Sequence, residues 1–178
     1  MHPIIPINDR IYLREWKVTD IDSLILNANN YLIWKWLRNT FPHPYTYSDA
    51  AFWVETGQYA SSQLNFAIVY EEIAIGGIGI IFKDDIYTLR AEIGYWIGQS
   101  YQGLGITTAC LKHLTEWSFQ NYHLARIEAP VIAGNEPSMR ILEKSGYHLE
   151  AIHRFGIFKE NEVKDEYFYV KYAPSLVN

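Results

Sequence analysis

The sequence predicts one mixed α/β (α+β) domain, in which a central sheet of about seven strands is flanked by helices. The first observation behind this prediction is that strand-like and helix-like segments alternate along the chain. The second is a glycine-rich turn, residues 101–105, between an apolar strand segment and a long amphipathic helix segment. The third is composition: 178 residues with 49% hydrophobic and 20% charged side chains are typical of one globular domain with a substantial core.

Seven segments have the alternating or continuously apolar character of strands. They are residues 11–16, 65–70, 73–82, 91–97, 126–133, 148–158 and 163–172. Short polar turns at Glu71-Glu72 and at residues 160–162 predict that the second and third strands, and the last two strands, form hairpins.

The N-terminal third predicts helices on both sides of a proline-rich loop. Pro42 and Pro44 exclude a helix there, because proline fixes φ and lacks an N–H donor. The helices predicted around this loop are one capped by Thr19 or Asp20, a short one over residues 31–37, and one capped by Ser48 that runs to about residue 59.

Gly103 and Gly105 form the most informative turn of the chain. The helix after them extends to about residue 121, and one face of it carries Cys110, Leu114 and Trp117. A glycine-rich turn at a helix start leaves backbone N–H groups free, and the helix dipole adds positive potential there. The turn is therefore predicted to bind an anion, usually a phosphate. A tight turn that needs glycine only for its backbone angles explains the local pattern equally well.

Two nucleotide-binding loops are excluded by single positions. A Walker-type loop needs Lys and then Ser or Thr after the last glycine, where this chain has Ile106. The cluster of Gly76, Gly77 and Gly79 would need a further small residue three positions later to bind a dinucleotide, and that position is Phe82. These glycines are predicted to lie in a strand, where another backbone or a ligand comes close.

Charge, cysteine content and terminal composition narrow the function class. A net charge of −5 argues against nucleic acid as the main partner. The single cysteine, Cys110, excludes an internal disulfide, fits a reducing compartment and is predicted to be a core residue. Residues 1–6 show no signal peptide and no segment reaches the ~20 apolar residues of a membrane span, so we expect a cytoplasmic protein with no membrane partner. The 6 histidines show no metal-ligand spacing, so no metal is expected.

A second motif follows the predicted strand over residues 126–133. Asn135 caps a helix that has Pro137 in its first turn and stops at Gly146. The order is the same as at the glycine turn: a buried strand, a short turn and then a helix.

The glycine turn and residues 135–147 together resemble the GNAT superfamily of acetyl-coenzyme A-dependent N-acetyltransferases. That family has the phosphate signature Gln/Arg-x-x-Gly-x-Gly/Ala, and its later helix often begins Asn-x-x-Ser and ends near Lys-x-Gly-Tyr/Phe. The resemblance covers residues 10–172. It implies a single N-acetyltransferase domain over residues 1–178, with its core at about residues 10–172.

Residues 11–14, 41–46 and 92–96 resemble the branch of the superfamily that contains the acetyltransferases of ribosomal-protein N-termini. The same branch contains spermidine and aminoglycoside acetyltransferases. The resemblance therefore implies an amine acceptor, which is a protein N-terminus, a polyamine or an aminoglycoside-like amine, and a monomer or homodimer. Ser100 replaces the leading Gln or Arg of the signature, and Thr108 stands where this branch often has Glu. We still expect coenzyme binding, because backbone N–H groups build the anion site.

The resemblance also implies where acetyl-coenzyme A binds. The pantetheine arm would lie along the strand that ends at residues 96–98, and the backbone N–H of Ile97 would polarise the thioester carbonyl. Free N–H groups from Gly103 to Thr107 would hold the pyrophosphate. The cofactor-binding residues implied in this way are Trp96, Ile97, Gln102, Gly103, Leu104, Gly105, Ile106, Thr107, Asn135 and Ser138.

Glu92 and Ser138 are the candidate catalytic residues. Glu92 lies in an otherwise apolar strand, where a carboxylate would take up a proton more readily and suit general-base chemistry near neutral pH. A partly exposed glutamate in a salt bridge is the alternative. Ser138 is the candidate general acid toward the coenzyme sulfur, with simple helix capping as its alternative. Tyr147 and Tyr101 are further candidates for the acid, because tyrosine has that role elsewhere in the superfamily.

Trp34, Phe41 and Tyr45 are expected to wall the acceptor pocket, although packing of two amphipathic helices also explains many of the aromatic residues there. The predicted function is direct transfer of an acetyl group from acetyl-coenzyme A to a primary amine. Two other classes stay open. A non-catalytic acyl-coenzyme A sensor would keep the glycine turn and lose the base, and an interaction protein on the same fold would bind no coenzyme.

Overall fold

The computed structural model describes residues 3–176, so Met1, His2, Val177 and Asn178 lie outside the described residues. Met1 and His2 begin the segment, residues 1–6, in which no signal peptide is expected. Within residues 3–176 the strands are β1 (Ile5–Asn8), β2 (Ile11–Arg14), β3 (Gln63–Tyr70), β4 (Ile73–Phe82), β5 (Arg90–Ile97), β6 (Arg126–Ile132), β7 (His148–Lys159) and β8 (Glu162–Tyr172). They form one sheet in the order β1-β2-β3-β4-β5-β6-β8-β7.

The described part of the sheet has eight strands, one more than the seven counted in the sequence. The additional strand is β1, a four-residue edge strand that contains Pro6. Proline cannot donate to a ladder, so such a segment has little strand signal of its own, and its pairing with β2 makes it a strand. The predicted hairpins β3–β4 and β7–β8 are both present.

The helices are α1 (Ile21–Ala28), α2 (Tyr31–Trp34), α3 (Tyr47–Glu55), α4 (Ile106–Asn121) and α5 (Glu136–Lys144). Three predicted boundaries were wrong. The second helix is a single turn that ends at Trp34 rather than residue 37. Thr46 caps α3 instead of Ser48, because Thr46 and Asp49 form a capping box with reciprocal side-chain-to-backbone bonds. The same helix ends at Glu55, and a separate 3-10 turn follows it.

Helices cover both faces of the sheet, because both faces of its central strands are apolar. Against one face pack α4 and α5, which contribute buried residues such as Cys110, Leu114 and Leu142. Against the other face pack α1 and α3, with Leu24 and Val54 among their buried residues. The prediction that Cys110 is a core residue is confirmed. Among residues 3–176, no helix is both long and apolar enough to cross a bilayer.

The sheet opens between β5 and β6, which form its parallel pair within the described residues. These strands pair only at Arg90, Ala91 and Glu92. Beyond Glu92, β5 continues beside β4 as far as Ile97, and β6 continues beside β8. The facing edges of the two strands therefore separate toward their C-terminal ends, and we call this opening the cleft.

Candidate active site

The glycine turn lies at the end of β5 and begins α4. Gly105 is the N-cap of α4 with φ 77°, and Gly103 has φ 78°, so both occupy the left-handed region that favours glycine. Added Cβ atoms at these two positions would meet no atom within 4 Å, so the turn is open to a ligand. The first bond of the helix runs from Ala109 N–H to the Gly105 oxygen. The preceding N–H groups have no acceptor within the helix, and Gly105 supplies no side-chain cap, so the N–H groups that the predicted anion site requires are available.

The side chains of the turn contribute less than its backbone. Ile106 and Thr107 are buried beneath the turn, and Leu104 points into solvent. The Gln102 amide donates to the oxygen of Ile97, the last residue of β5, at 3.5 Å. Ser100, at the position of the signature's Gln or Arg, is exposed. Contact with an anion here would therefore come chiefly from N–H groups.

The free edge of β5 carries the Ile97 N–H. Gly98 N–H donates to the Ile75 oxygen on β4 at 2.8 Å. Because successive residues of a strand point their N–H groups in opposite directions, the Ile97 N–H points away from β4 and into the cleft. This is the orientation that the predicted role of Ile97 requires.

The Trp96 side chain lies on the face of the sheet away from α4 and α5. Its ring stacks on Trp16 with centroids 6.3 Å apart and meets Phe41 edge-on at 5.6 Å. On β4, a Cβ at Gly77 would lie 2.8 Å from Trp96 Nε1, so the strand glycines make room for this indole, as expected of glycines at a close approach. Its N–H points to β4, as that of Gly98 does, so neither the side chain nor the N–H of Trp96 faces the cleft, and the predicted contact of Trp96 with the coenzyme has no polar group there.

Glu92 lies at the point where the cleft begins. Its side chain is 14% exposed and forms ion pairs with Arg38, in the loop after α2, and with Lys83 Nζ at 3.0 Å. The apolar surroundings inferred from the strand sequence were wrong. The neighbours along β5 are apolar, but residues distant in sequence bring two cations to the carboxylate, so Glu92 is the partly exposed glutamate in a salt bridge that the sequence left as the alternative.

Ser138 does not cap α5. The capping oxygen is Asn135 Oδ1, which accepts from Ser138 N–H at 3.4 Å, so the predicted cap at Asn135 is confirmed. The Ser138 hydroxyl instead lies 2.9 Å from the hydroxyl of Tyr95. Burial raises the pKa of the Tyr95 phenol. Of the tyrosines considered from sequence, Tyr147 places its hydroxyl 2.8 Å from Thr115 in the core, and Tyr101 packs edge-on against Tyr70.

A cavity of about 280 Å³ lies beside the cleft. It is lined by the loop after α2, by the part of β6 beyond its separation from β5, and by the hairpin β7–β8. Its lining includes Trp36, Arg38, Pro130, Ile132, Lys159 and Glu166. Because Arg38 lines the cavity and also pairs with Glu92, the cavity and the carboxylate are neighbours.

The three predicted acceptor residues are absent from this lining. Tyr45 is 4% exposed and packs in the core under α1 and α3, so its predicted place in a pocket was wrong. Phe41 lies between Tyr45 and Trp96, with ring centroids 5.0 and 5.6 Å away. Trp34 donates from Nε1 to the Phe41 oxygen at 3.0 Å and so supports the loop that follows α2.

Sequence reasoning missed Arg38, Lys159, Glu166 and Tyr95. Lys159 and Glu166 stand at the end of β7 and within β8, where the charged residues of the last hairpin gave no sign of facing a cavity. Arg38 is separated from Glu92 by 54 residues, so only the fold brings them together. Among residues 3–176, no cluster of three or more His, Cys, Asp or Glu side chains is arranged to hold a metal ion.

A strand edge that is free to pair with a ligand, a backbone anion site at its end and a carboxylate at its start are the parts of an acyl-transfer site. The profile of the Acetyltransferase (GNAT) domain matches residues 10–148. The protein therefore belongs to the GNAT acetyltransferase family.

Known proteins support this assignment over most of the chain. YdaF of Bacillus subtilis (strain 168), whose name proposes ribosomal N-acetylation, is 27% identical over 168 residues, covering 92% of this chain and 91% of YdaF. The uncharacterised N-acetyltransferase p20 of Bacillus licheniformis is 30% identical over 152 residues, covering 82% of this chain and 83% of p20. A ribosomal L7/L12 alpha-N-protein acetyltransferase solved in complex with coenzyme A shares the fold, with a TM-score of 0.84 at 18% identity over 96% of this chain and 98% of that one.

These findings confirm four predictions: the family, the α/β fold class, the N-acetyltransferase class and acetyl-coenzyme A as the co-substrate. Because the relatives are N-acetyltransferases, the group that accepts the acetyl is an amine.

Proposed function

We propose that the protein transfers an acetyl group directly from acetyl-coenzyme A to a primary amine within the cleft between β5 and β6. The observation that carries this proposal is the free edge of β5, which leads from Glu92 to the anion site at Gly105. We also infer that residues 1–178 form a single N-acetyltransferase domain with its core at about residues 10–172, because one sheet spans the described chain.

In this proposal the coenzyme lies along β5. Its pyrophosphate binds the N–H groups from Gly103 to Thr107, where the helix dipole favours negative charge. Its pantetheine arm enters the cleft as an added strand, which uses the backbone groups that β6 leaves unpaired. Asn135, at the start of α5, borders the other wall. The thioester carbonyl then accepts a hydrogen bond from Ile97 N–H.

The chemical step needs a neutral amine and a stabilised leaving sulfur. Glu92 takes the proton of the acceptor ammonium, directly or through water. The amine lone pair forms the C–N bond, Ile97 N–H holds the negative charge on the carbonyl oxygen, and the C–S bond breaks with its electron pair on sulfur. As the amide forms, the nitrogen releases its second proton to water. Ser138 supplies a proton to the sulfur and regains one from that protonated water.

The acceptor amine would approach through the cavity lined by Arg38 and Lys159. A protein N-terminus is the acceptor that we favour, because the relative YdaF is named for ribosomal N-acetylation and because apolar side chains line much of the cavity. The lining carries two cations, Arg38 and Lys159, and one carboxylate, Glu166, so its net positive charge repels a polyamine or an aminoglycoside-like amine more strongly than a peptide. A monomer or homodimer, a cytoplasmic location and the absence of nucleic-acid and membrane partners remain predictions.

A panel of primary amines tests the proposed function. Purified protein would be incubated with acetyl-coenzyme A and peptides with free N-termini, spermidine or an aminoglycoside, and products would be measured by mass spectrometry. Acetylation of at least one amine supports the enzyme. Coenzyme binding without acetylation of any amine would favour the sensor, and a thermal shift of zero with acetyl-coenzyme A would favour the interaction protein. At 100 Kd a bound ligand adds about 2.7 kcal/mol to the free energy of unfolding, which such a shift detects.

Gly105→Val tests the anion site in the same protein. The β-branched side chain is strained at φ 77° and blocks the approach of phosphate, so calorimetry should show a large loss of coenzyme affinity. Gly146→Val is the matched control, since Gly146 has φ 84° at the far end of α5. Equal coenzyme affinity in the two variants would contradict binding of the coenzyme phosphates at the glycine turn.

A further inference from the structure

Tyr95 connects the two walls of the cleft. It lies on β5, and its hydroxyl reaches the first turn of α5, where it is 2.9 Å from Ser138 Oγ and 3.3 Å from the Ser138 carbonyl oxygen. Its side chain lies on the same face of the sheet as that of Ile97, two residues later, because strand side chains alternate. The hydroxyl pair therefore joins β5, whose Ile97 N–H is expected to face the thioester, to the start of α5 on the other side of the cleft.

The Tyr95 hydroxyl has one proton and two acceptors on Ser138. The shorter contact is to Oγ, which makes the serine hydroxyl the better acceptor. Once Ser138 Oγ accepts from the phenol, its own proton is free for a third partner. Burial raises the pKa of Tyr95, so the phenol keeps its proton at neutral pH and remains a donor. Hydrogen bonds in such a chain strengthen one another.

We propose that Tyr95 is a positioning residue for the departure of the coenzyme thiolate. Its phenol donates to Ser138 Oγ and thereby turns the Ser138 proton toward the thioester sulfur. This inference rests on the proposed function. It adds no bond change to the reaction: the electron pair of the C–S bond still leaves on sulfur, Ser138 still supplies the proton, and Tyr95 remains protonated throughout.

Three variants test the pair: Tyr95→Phe, Ser138→Ala and the double variant. Tyr95→Phe keeps the ring and removes only the hydroxyl. General acids contribute about 10²–10⁴-fold, so we expect Ser138→Ala to lower kcat by about 10²-fold and Tyr95→Phe by about 10-fold. The KM for acetyl-coenzyme A should stay unchanged in Tyr95→Phe. Because the two hydroxyls act as a unit, the double variant should be no slower than Ser138→Ala, and multiplied losses would overturn the proposal.

A change of leaving group separates this role from a structural one. 4-Nitrophenyl acetate donates the same acetyl group but releases a phenolate that needs no proton. Tyr95→Phe should therefore be slow with acetyl-coenzyme A and unimpaired with 4-nitrophenyl acetate. Equal losses with the two donors would show that Tyr95 only supports the fold.

Tyr147→Phe is the matched control. It also removes a buried phenol–hydroxyl bond, to Thr115 at 2.8 Å, and burial raises the pKa of that phenol as well. It should lose stability but keep kcat with acetyl-coenzyme A. A larger loss of kcat in Tyr147→Phe than in Tyr95→Phe would place the acid at Tyr147 and contradict the proposal.

The ionisation of bound coenzyme A gives a readout that requires no acceptor. The ultraviolet absorbance of the thiolate would be followed against pH for coenzyme A bound to each protein. The pair should lower the pKa of the bound thiol, and Tyr95→Phe should raise it again. If the protein acetylated no amine, the proposed function would fail, yet this titration would still decide the role of Tyr95. An identical titration in both proteins would overturn it.

Discussion

Glu92 holds one negative charge between the positive charges of Arg38 and Lys83. Arg38 is mostly exposed, whereas the Glu92 carboxylate is largely covered, so the arginine side chain can be displaced while the carboxylate stays in place. An incoming ammonium group offers the same charge and hydrogen-bond donors as Arg38. We therefore expect the acceptor amine to replace Arg38 at Glu92, which leaves the carboxylate ready to take its proton.

Replacing Glu92 by Gln should preserve coenzyme affinity and lower kcat by about 10²–10⁴-fold, the usual effect of removing a general base. In the wild-type protein the rate should fall on the acidic side of the pH–rate profile, because the carboxylate must be ionised to act. That acidic limb should flatten in Glu92→Gln. Steady-state kinetics between pH 5 and 9 would measure both effects.

Glu162→Gln is the control, since Glu162 also pairs with a lysine, Lys164, but lies at the exposed start of β8. It should behave as the wild-type protein does. Normal kcat and an unchanged acidic limb in Glu92→Gln would mean that the amine arrives already neutral. Catalysis would then depend on positioning and carbonyl polarisation alone.

The hairpin β7–β8 holds the loop that lines the cavity beside the cleft. Lys159, at the end of β7, is 3% exposed. Its ammonium donates to the Leu37 oxygen at 2.7 Å and to Asn39 Oδ1 at 3.1 Å, and it lies 3.7 Å from the centroid of the Trp34 ring. The two acceptors flank Arg38 in sequence, so the last hairpin fixes the backbone from which Arg38 reaches Glu92. Burial lowers the pKa of Lys159, because a buried site disfavours the charged form of the ammonium group.

Replacing Lys159 by Met should loosen this loop. Hydrogen bonds to charged groups contribute about 1.5–3 kcal/mol, so the free energy of unfolding should fall by roughly that amount. The KM for the acceptor should rise several-fold, while the affinity for acetyl-coenzyme A stays the same because the anion site is built by α4. Chemical denaturation, steady-state kinetics and calorimetry would measure the three quantities.

Lys171→Met provides the comparison. Lys171 is also partly buried, and its ammonium donates to the Ser145 oxygen at 2.9 Å, at the end of α5. Its replacement should cost similar stability without changing the acceptor KM. A rise in acceptor KM of the same size in both variants would show that general destabilisation, and not the loop, is responsible.

Burial of phenol and thiol groups ties the stability of the whole molecule to alkaline pH. Burial raises the pKa of Tyr45, Tyr95 and Tyr147, and it raises the pKa of Cys110 and of Tyr169 to about 12. Above the ordinary pKa values of these groups, the native protein holds protons that the unfolded chain has released. Stability contributed by these groups is therefore complete below those values and falls as the pH rises toward 12.

Urea unfolding at pH 8, 9, 10 and 11 should show this loss. Each proton retained only by the native state lowers the free energy of unfolding by about 1.4 kcal/mol per pH unit, and several groups act together above pH 10. The lowered pKa values of Lys159 and Lys171 act in the opposite direction but involve fewer groups. A midpoint that stays constant from pH 8 to 11 would contradict the burial of these side chains.

Elements with a local signal could be predicted from sequence, and tertiary contacts could not. Turn residues such as Gly103, Gly105 and Asn135 act through their own backbone or the next turn of the chain, and the predicted glycine turn and helix cap agree with the structure. The surroundings of Glu92 depend on Arg38, which lies in a loop without regular periodicity and is 54 residues away in sequence. Tyr45 was misplaced for a related reason: an aromatic side chain in a loop packs equally well in a pocket wall or in the core, and composition does not distinguish the two.

The separation of β5 from β6 also predicts a pattern in the exchange of amide hydrogens with solvent. Trp96 N–H lies on the edge of β5 that faces β4, whereas the N–H groups of Tyr95 and Ile97 lie on the edge that β6 has left. In the free protein, fast and slow exchange should therefore alternate residue by residue along this one strand. Coenzyme that occupies the cleft would slow the fast positions and remove the alternation, so the strand itself would report the occupancy of the cleft.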